Sequence, residues 1–259
     1  MKALIVVQLL KLRLYPLFWL VLALYTALVP LIFRVFFSAQ ITINEEQLDM
    51  GAFFALDGAG LWHYLLFAGS YGVHLFVLLM VSFVNRDFRF GIRRQYLLDG
   101  LSRRQLVGSD VSLAGLFSLA AILLLTLATY GLAWSREIAI STADLSAVAP
   151  FMLTYVLYFF VFMMMALFIN SFVGNTAGSF LIVLFWSLFI EGIIRWIDPS
   201  GLTAYLPVNS LNGLIPSPFR AMAGGASVVS PDTLKATFSV LWGFLFAGLY
   251  LWRTETRDF

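Results

Sequence analysis

Six stretches of this sequence are apolar for roughly the twenty residues that an α-helix needs to cross the hydrocarbon of a bilayer. They lie at about 17–37, 61–84, 111–134, 150–172, 178–197 and 234–252. Runs of that length dictate the fold class, an all-α polytopic membrane protein forming a single transmembrane domain over residues 1–259. Composition agrees: 61% of the residues are hydrophobic and 12% are charged, about half the charge of an ordinary soluble domain. The net charge of +2 gives no reason to expect nucleic acid as a partner. With no cysteine, disulfides and thiolate chemistry are excluded.

An even number of spans places both termini on one side. With the N-terminus inside, eleven of the sixteen lysines and arginines fall in inner segments and five in outer ones, so the positive-inside rule puts both termini in the cytoplasm. The run from Leu17 to Phe33 is longer than a signal-peptide core, and Phe37 stands where a cleavage site before Ala39 wants a small residue. The first span is therefore expected to be retained. Ahead of it, residues 1–16 repeat Leu4, Val7, Leu10 and Leu14 at helical steps, with Lys11 and Arg13 in reach of headgroups and Pro16 at a bend, which predicts an interfacial helix. A plain inside-positive flank reads equally well.

Between spans five and six, residues 198–233 carry Pro199, Pro207, Pro216, Pro218, Pro231 and four glycines. Within them AYLPVNSLNGLI is apolar but too short to span. That pattern predicts a re-entrant or interfacial outer segment, its backbone covered by protein or facing water. The outer loop 38–60 is too short for a folded domain of its own.

Residues 85–110, NRDFRFGIRRQYLLDGLSRRQLVGSD, hold six of the thirteen arginines and no lysine. Asn85 reads as an N-cap with Asp87 in the first turn, and Gly100 as a C-terminal stop, which predicts a short cytoplasmic helix over about 86–98. Ser102 and Gln105 form a capping box ahead of span three. Phe88, Ile92 and Tyr96 share one face, Phe90, Leu97 and Leu101 lie elsewhere, and Arg89 and Arg93 share a third stripe. A helix apolar on two sides needs cover on two sides, one from its own membrane domain and one from a partner. Binding of anionic headgroups explains the charge but not the caps or the second apolar face.

In this layout the chain resembles the permease subunit of ABC-2 type transporters. The resemblance rests on six spans, the lead-in helix, and Asp87 and Gly91 separated by three residues with Ser102-Arg103 following. YLPVNSLNGLI and the ending RTETRDF are similar to that family's outer segment and basic tail. Ile92 and Asp110 depart from the pattern, which often has Thr and Lys there. The resemblance implies a coupling helix at 85–104 that inserts into a groove of a separate cytoplasmic ABC ATPase, with Asp87, Arg89, Gly91, Arg93, Arg94, Gly100, Ser102 and Arg103 as the coupling residues. It also implies a bacterial cytoplasmic (inner) membrane location, and a second permease subunit beside this one. The chain has no phosphate-binding G-x-x-x-x-G-K-[ST] loop, so it is not itself an enzyme; ATP and Mg would belong to the partner. The expected function is ATP-driven export, of a lipidic, amphiphilic or peptide cargo since no ring of charge lines a span. A secondary transporter or channel, or a non-transporting anchor subunit, are the alternatives.

Other constellations are weaker. Glu191 and Arg195 are four apart near the outer end of span five and read as a local ion pair or an outer gate. His63 and His74 are some 16 Å apart along an unbroken helix, too far for one metal; His74 is expected to make a helix–helix hydrogen bond. Ser70 with His74 lacks an orienting third group for catalysis, and Ala68 with Gly72 reads as close packing. Met163, Met164 and Met165 point around their helix, towards lipid and packing. Gly243, Ala247 and Gly248 give the last span a small face.

Overall fold

A computed structural model of the chain describes residues 2–38, 40–43, 46–49, 57–198, 201–217 and 230–256. Five helices are long and apolar enough to cross a membrane, and a bent pair brings the number to six if it is one span. The order is α1 (Lys2–Arg13), α2 (Pro16–Ser38), a hairpin of β1 (Gln40–Ile43) and β2 (Glu46–Asp49), α3 (Gly58–Ser70) and α4 (Val73–Arg89). Then follow α5 (Ile92–Leu98), α6 (Arg103–Ser135), α7 (Thr142–Val173) and α8 (Thr176–Phe185). A π-helical turn at Trp186–Ile190 joins α8 to α9 (Glu191–Ile197). A 3₁₀ turn at Leu202–Tyr205, α10 (Pro207–Asn212) and α11 (Thr233–Thr256) complete the chain. Apart from the small hairpin the described chain is helical, as its apolar runs predict. Glu45, Pro199, Pro218, Arg220, Gly224, Gly225 and residues 257–259 lie outside the described residues.

Helix α7 is the centre. Its apolar window is 61% buried, against 17–33% for the other four unbroken spans, and α3, α4, α6, α8 and α11 all pack on it. It is apolar all round, as a helix surrounded by others must be. Met163, Met164 and Met165 are buried in this packing and do not face lipid as expected, because other helices surround α7 at that level. Its start is fixed by a capping box in which Ser141 and Asp144 exchange hydrogen bonds, eight residues ahead of the apolar run.

The second span is broken. α3 and α4 meet at 41° around Tyr71-Gly72. Close approach explains the glycines there. A Cβ on Gly69 would lie 2.6 Å from the Tyr155 hydroxyl, and one on Gly72 would collide with the Tyr25 ring. Tyr25 and Tyr155 share a buried hydrogen bond of 2.5 Å beside the break. α2 therefore packs its tyrosine into the notch that the two glycines leave.

The C-terminal ends of α1 and α11 come to one end of the bundle. Lys11 at the end of α1 pairs with Asp87 of α4 at 3.0 Å, and Arg104 at the start of α6 pairs with Glu255 of α11 at 2.7 Å. Gly243 lets α11 approach α7, where a Cβ would meet Val161 at 3.1 Å, whereas Gly248 faces open space.

Candidate functional site

The arginine-rich segment folds as an elbow between α4 and α6. Its short helix starts later than the sequence predicts. α4 continues through Asn85 and Asp87 to Arg89, and the chain turns at Gly91, which adopts φ +67. Only then does α5 run from Ile92 to Leu98, and Gly100 at φ +90 turns the chain again. Both glycines occupy left-handed backbone that other residues enter at a cost. The expected capping box is present: Ser102 Oγ accepts from the Gln105 amide, and Gln105 Oε1 accepts from the Ser102 amide at 2.8 Å.

Asn85 is not a cap. It lies within α4 and exchanges two side-chain hydrogen bonds with Asn170 of α7, at 2.8 and 3.0 Å. Thr176 and Ser179 of α8 join the same cluster. Asp87 faces inward to Lys11, not out to a helix N-terminus.

Arg93 is the main departure from expectation. It is 3% exposed and so cannot contact a partner surface. Its guanidinium donates to both oxygens of Asp110 in α6, at 2.8 and 2.6 Å, and to the Tyr250 hydroxyl of α11 at 3.3 Å. Tyr250 in turn donates to Asp110 at 2.6 Å. Phe88 lies against the guanidinium plane, 4.5 Å from ring centroid to Cζ. Burial opposes the charge, but the Asp110 carboxylate and the Tyr250 hydroxyl outweigh it and hold the Arg93 pKa above its ordinary value. Arg103 is also spent internally, donating to the Thr254 and Glu255 carbonyls at the end of α11.

Of the eight expected coupling residues, then, Asp87, Arg93 and Arg103 tie the elbow to the bundle, Ser102 caps α6, and Gly91 and Gly100 shape the turns. Arg89 and Arg94 face out. Beside them stand two large apolar side chains, Phe90 (67% exposed) and Leu98 (79% exposed). The elbow thus presents a surface of two arginines with two apolar anchors on a base held by a buried ion pair.

The opposite end holds the second arrangement. Glu191 is buried, and it does not pair with Arg195, which is exposed. Its carboxylate accepts from the Val208 and Asn209 amides at 2.9 and 2.7 Å and from Trp186 Nε1 at 2.9 Å. It therefore caps the first turn of α10 from a different element. The π turn makes this possible: Trp186 and Glu191 are five residues apart, so the wide turn stacks one over the other. The 3₁₀ turn that leads into α10 is held from α11, whose Trp242 Nε1 donates to the Tyr205 carbonyl at 2.8 Å.

Beneath α10 lies a cavity of about 390 Å³ between the break in the second span, α7 and the π turn. His74 Nε2 meets Ser187 Oγ at 2.9 Å across it, the expected helix–helix hydrogen bond. The Tyr158 hydroxyl donates to Asn212 Oδ1 at 3.3 Å. Ser70 donates to the Phe67 carbonyl, so Ser70 and His74 each have other partners and form no nucleophile–base pair. Among the described residues no group of His, Asp and Glu could hold a metal ion.

No protein-family model matches the chain, and no curated protein sequence matches it.

Proposed function

We propose that this chain is the membrane-spanning permease subunit of an ATP-binding-cassette exporter, driven by a separate cytoplasmic ATPase that docks on the elbow. The observation that carries the reading is the construction of that elbow. The end of α4 exposes Arg89 and Phe90 and the seven-residue α5 exposes Arg94 and Leu98, while the other arginine of α5, Arg93, enters a buried network with α6 and α11. A surface helix needs no such tether merely to mark topology. A helix that transmits force does, because a push on α5 then reaches two spans directly. Exposed apolar anchors ringed by arginine suit a partner groove with acidic rims.

In this reading both termini are cytoplasmic, α1 lies at the interface, and a second permease subunit completes the pathway. ATP and Mg are held by the partner. The cargo is lipidic, amphiphilic or peptidic. Helix α10 re-enters from the outer side and closes the pathway, with Glu191 as its latch.

The test is purification of the tagged chain from its native cells in mild detergent, beside Arg89→Glu with Arg94→Glu. Both residues are exposed, so the variant retains the Arg93 network and the fold. A P-loop ATPase at stoichiometric yield with the normal chain, and its loss from the variant, supports the reading. Equal yields, or none after crosslinking, exclude the elbow as its docking surface.

A second reading is favoured by one feature: a span broken near mid-depth is a common ligand site in secondary transporters. It predicts transport that follows an ion gradient and persists when ATP hydrolysis is blocked.

A further inference from the structure

The cavity beneath α10 adjoins a second, different hollow. A groove of about 490 Å³ runs along α8 and the π turn, lined wholly by apolar residues that include Leu181, Phe185 and Phe189. Leu188 forms a wall of both. The cavity itself is amphipathic inside. The Ser70 oxygen and the Asn212 amide offer hydrogen bonds beside the His74–Ser187 pair, and Phe67 and Phe162 offer flat faces. No lysine, arginine or carboxylate lines it among the described residues. A polar chamber and an apolar groove on either side of one exposed leucine have the shape of a head and a tail.

We propose that the two hollows together bind one membrane amphiphile, its uncharged, hydroxylated headgroup in the cavity and its acyl chain in the groove. The missing countercharge selects the head. An anionic or cationic group would leave headgroup solvent for a chamber with hydrogen-bonding groups only, at a large desolvation cost. Hydroxyls lose little there, because the Ser70 oxygen and the Asn212 amide replace their water, and the aromatic walls cover the apolar faces of the headgroup. The cavity volume falls in the range of pockets that enclose a small molecule, roughly 300–1,000 Å³.

The route of entry is lateral. Tyr71 at the break and Leu188 on the π turn are 51% and 55% exposed, and both line the cavity, so its mouth is on the flank of the bundle. The outer side is covered by Val208 and Asn212 of α10. Both irregular elements serve this site: the break in the second span brings Ser70 and His74 to the chamber, and the π turn brings Ser187 to His74. As a cargo site the proposal rests on the permease reading. As a binding site it is measured on the isolated chain, so failure to bind leaves the docking reading standing, and loss of docking leaves binding unaffected.

The chain has no cysteine, so Leu188→Cys provides a single attachment point for an environment-sensitive bimane fluorophore. The labelled full-length protein in phosphatidylcholine nanodiscs is titrated with monoglucosyl dioleoylglycerol and, separately, with dioleoylphosphatidylglycerol, which has the same tails and a charged head. The proposal predicts a saturable emission shift with the glucosyl lipid, and a half-saturating fraction at least about tenfold higher for the anionic lipid, as expected for a difference of one good polar contact. Asn212→Leu in the chamber weakens the glucosyl lipid by a similar factor, whereas Leu153→Ala, in a separate lipid-side groove of α7, leaves it unchanged. Equal half-saturation by the two lipids overturns the proposal, and that comparison needs no cavity variant to fold. An unchanged response in a folded Asn212→Leu overturns it as well. A shift produced equally by free glucose overturns the amphiphile.

Discussion

Asp110 decides where α5 sits. Its carboxylate takes both donors of one Arg93 nitrogen and the Tyr250 hydroxyl, all buried. Asp110→Ala leaves a buried guanidinium without its counterion, which costs about 3–5 kcal/mol, whereas replacing the pair together by Arg93→Met and Asp110→Leu costs far less. Thermal unfolding of the purified chain distinguishes these, and equal midpoints for the single and double variants would contradict the network. Gly72 is a second single-residue test. Gly72→Ala forces a methyl into the Tyr25 ring, a loss of about 1–3 kcal/mol. Gly131→Ala in α6 meets nothing within 4 Å and gains helix propensity instead, so the two changes move stability in opposite directions. Close packing at Gly72 was legible from its spacing to Ala68, though the Tyr25 ring that fills the space was not, and the Arg93 network was not legible at all. Arg93 and Asp110 are 17 positions apart, but the third member is 140 positions from Asp110, and nothing local links it to them. Arg93 read as surface charge because arginine rarely leaves the surface without a partner, and its partners are distant in sequence.

At the scale of elements, the spans were legible and their interruptions were not. Apolar runs of about twenty residues report a helix whatever packs around it. The Ser102–Gln105 box, a purely local device, was legible for the same reason. The break at Tyr71-Gly72 carries no proline, and the ring packed against it, Tyr25, comes from another span. The start of α5 was misplaced because the apolar run ends at Val84 while the helix of α4 continues to Arg89. The Glu191 cap has the same character: Glu191 looks like half of an i,i+4 pair with Arg195 until the π turn aims it at α10. Its role can be measured. In the cysteine-free chain, Val208→Cys reports on the buried first turn of α10. With Glu191→Ala the turn loses acceptors for two amides and the Trp186 indole. Its labelling by a water-soluble maleimide should rise at least about tenfold, since each hydrogen bond to a charged group is worth about 1.5–3 kcal/mol. Equal labelling rates would show that α10 is held without the Glu191 cap.

For the whole molecule, the two ends differ in kind. One end gathers the C-terminal ends of α1 and α11, the Lys11–Asp87 and Arg104–Glu255 pairs and the Arg93 network around the elbow. The other is closed by a short helix over a cavity beside a broken span and a π turn. α7 joins them, with Asn170 in the Asn85 cluster near one end and Tyr158 on Asn212 towards the other. A displacement of α5 would pass through Arg93 to α6 and α11, and α11 holds the 3₁₀ turn ahead of α10 through Trp242. That chain of contacts is how partner motion at the elbow would reach α10. The central claim is that a nucleotide-binding partner sits on the exposed face of α5. The most direct measurement places a photo-crosslinking amino acid at Leu98 in native cells, with Leu153 on a lipid-side groove of α7 as the reference position. The account predicts a crosslink from Leu98, and none from Leu153, to a protein that binds ATP and carries a P-loop. A Leu98 probe that reaches only lipid, in cells where the chain is expressed and folded, would contradict it.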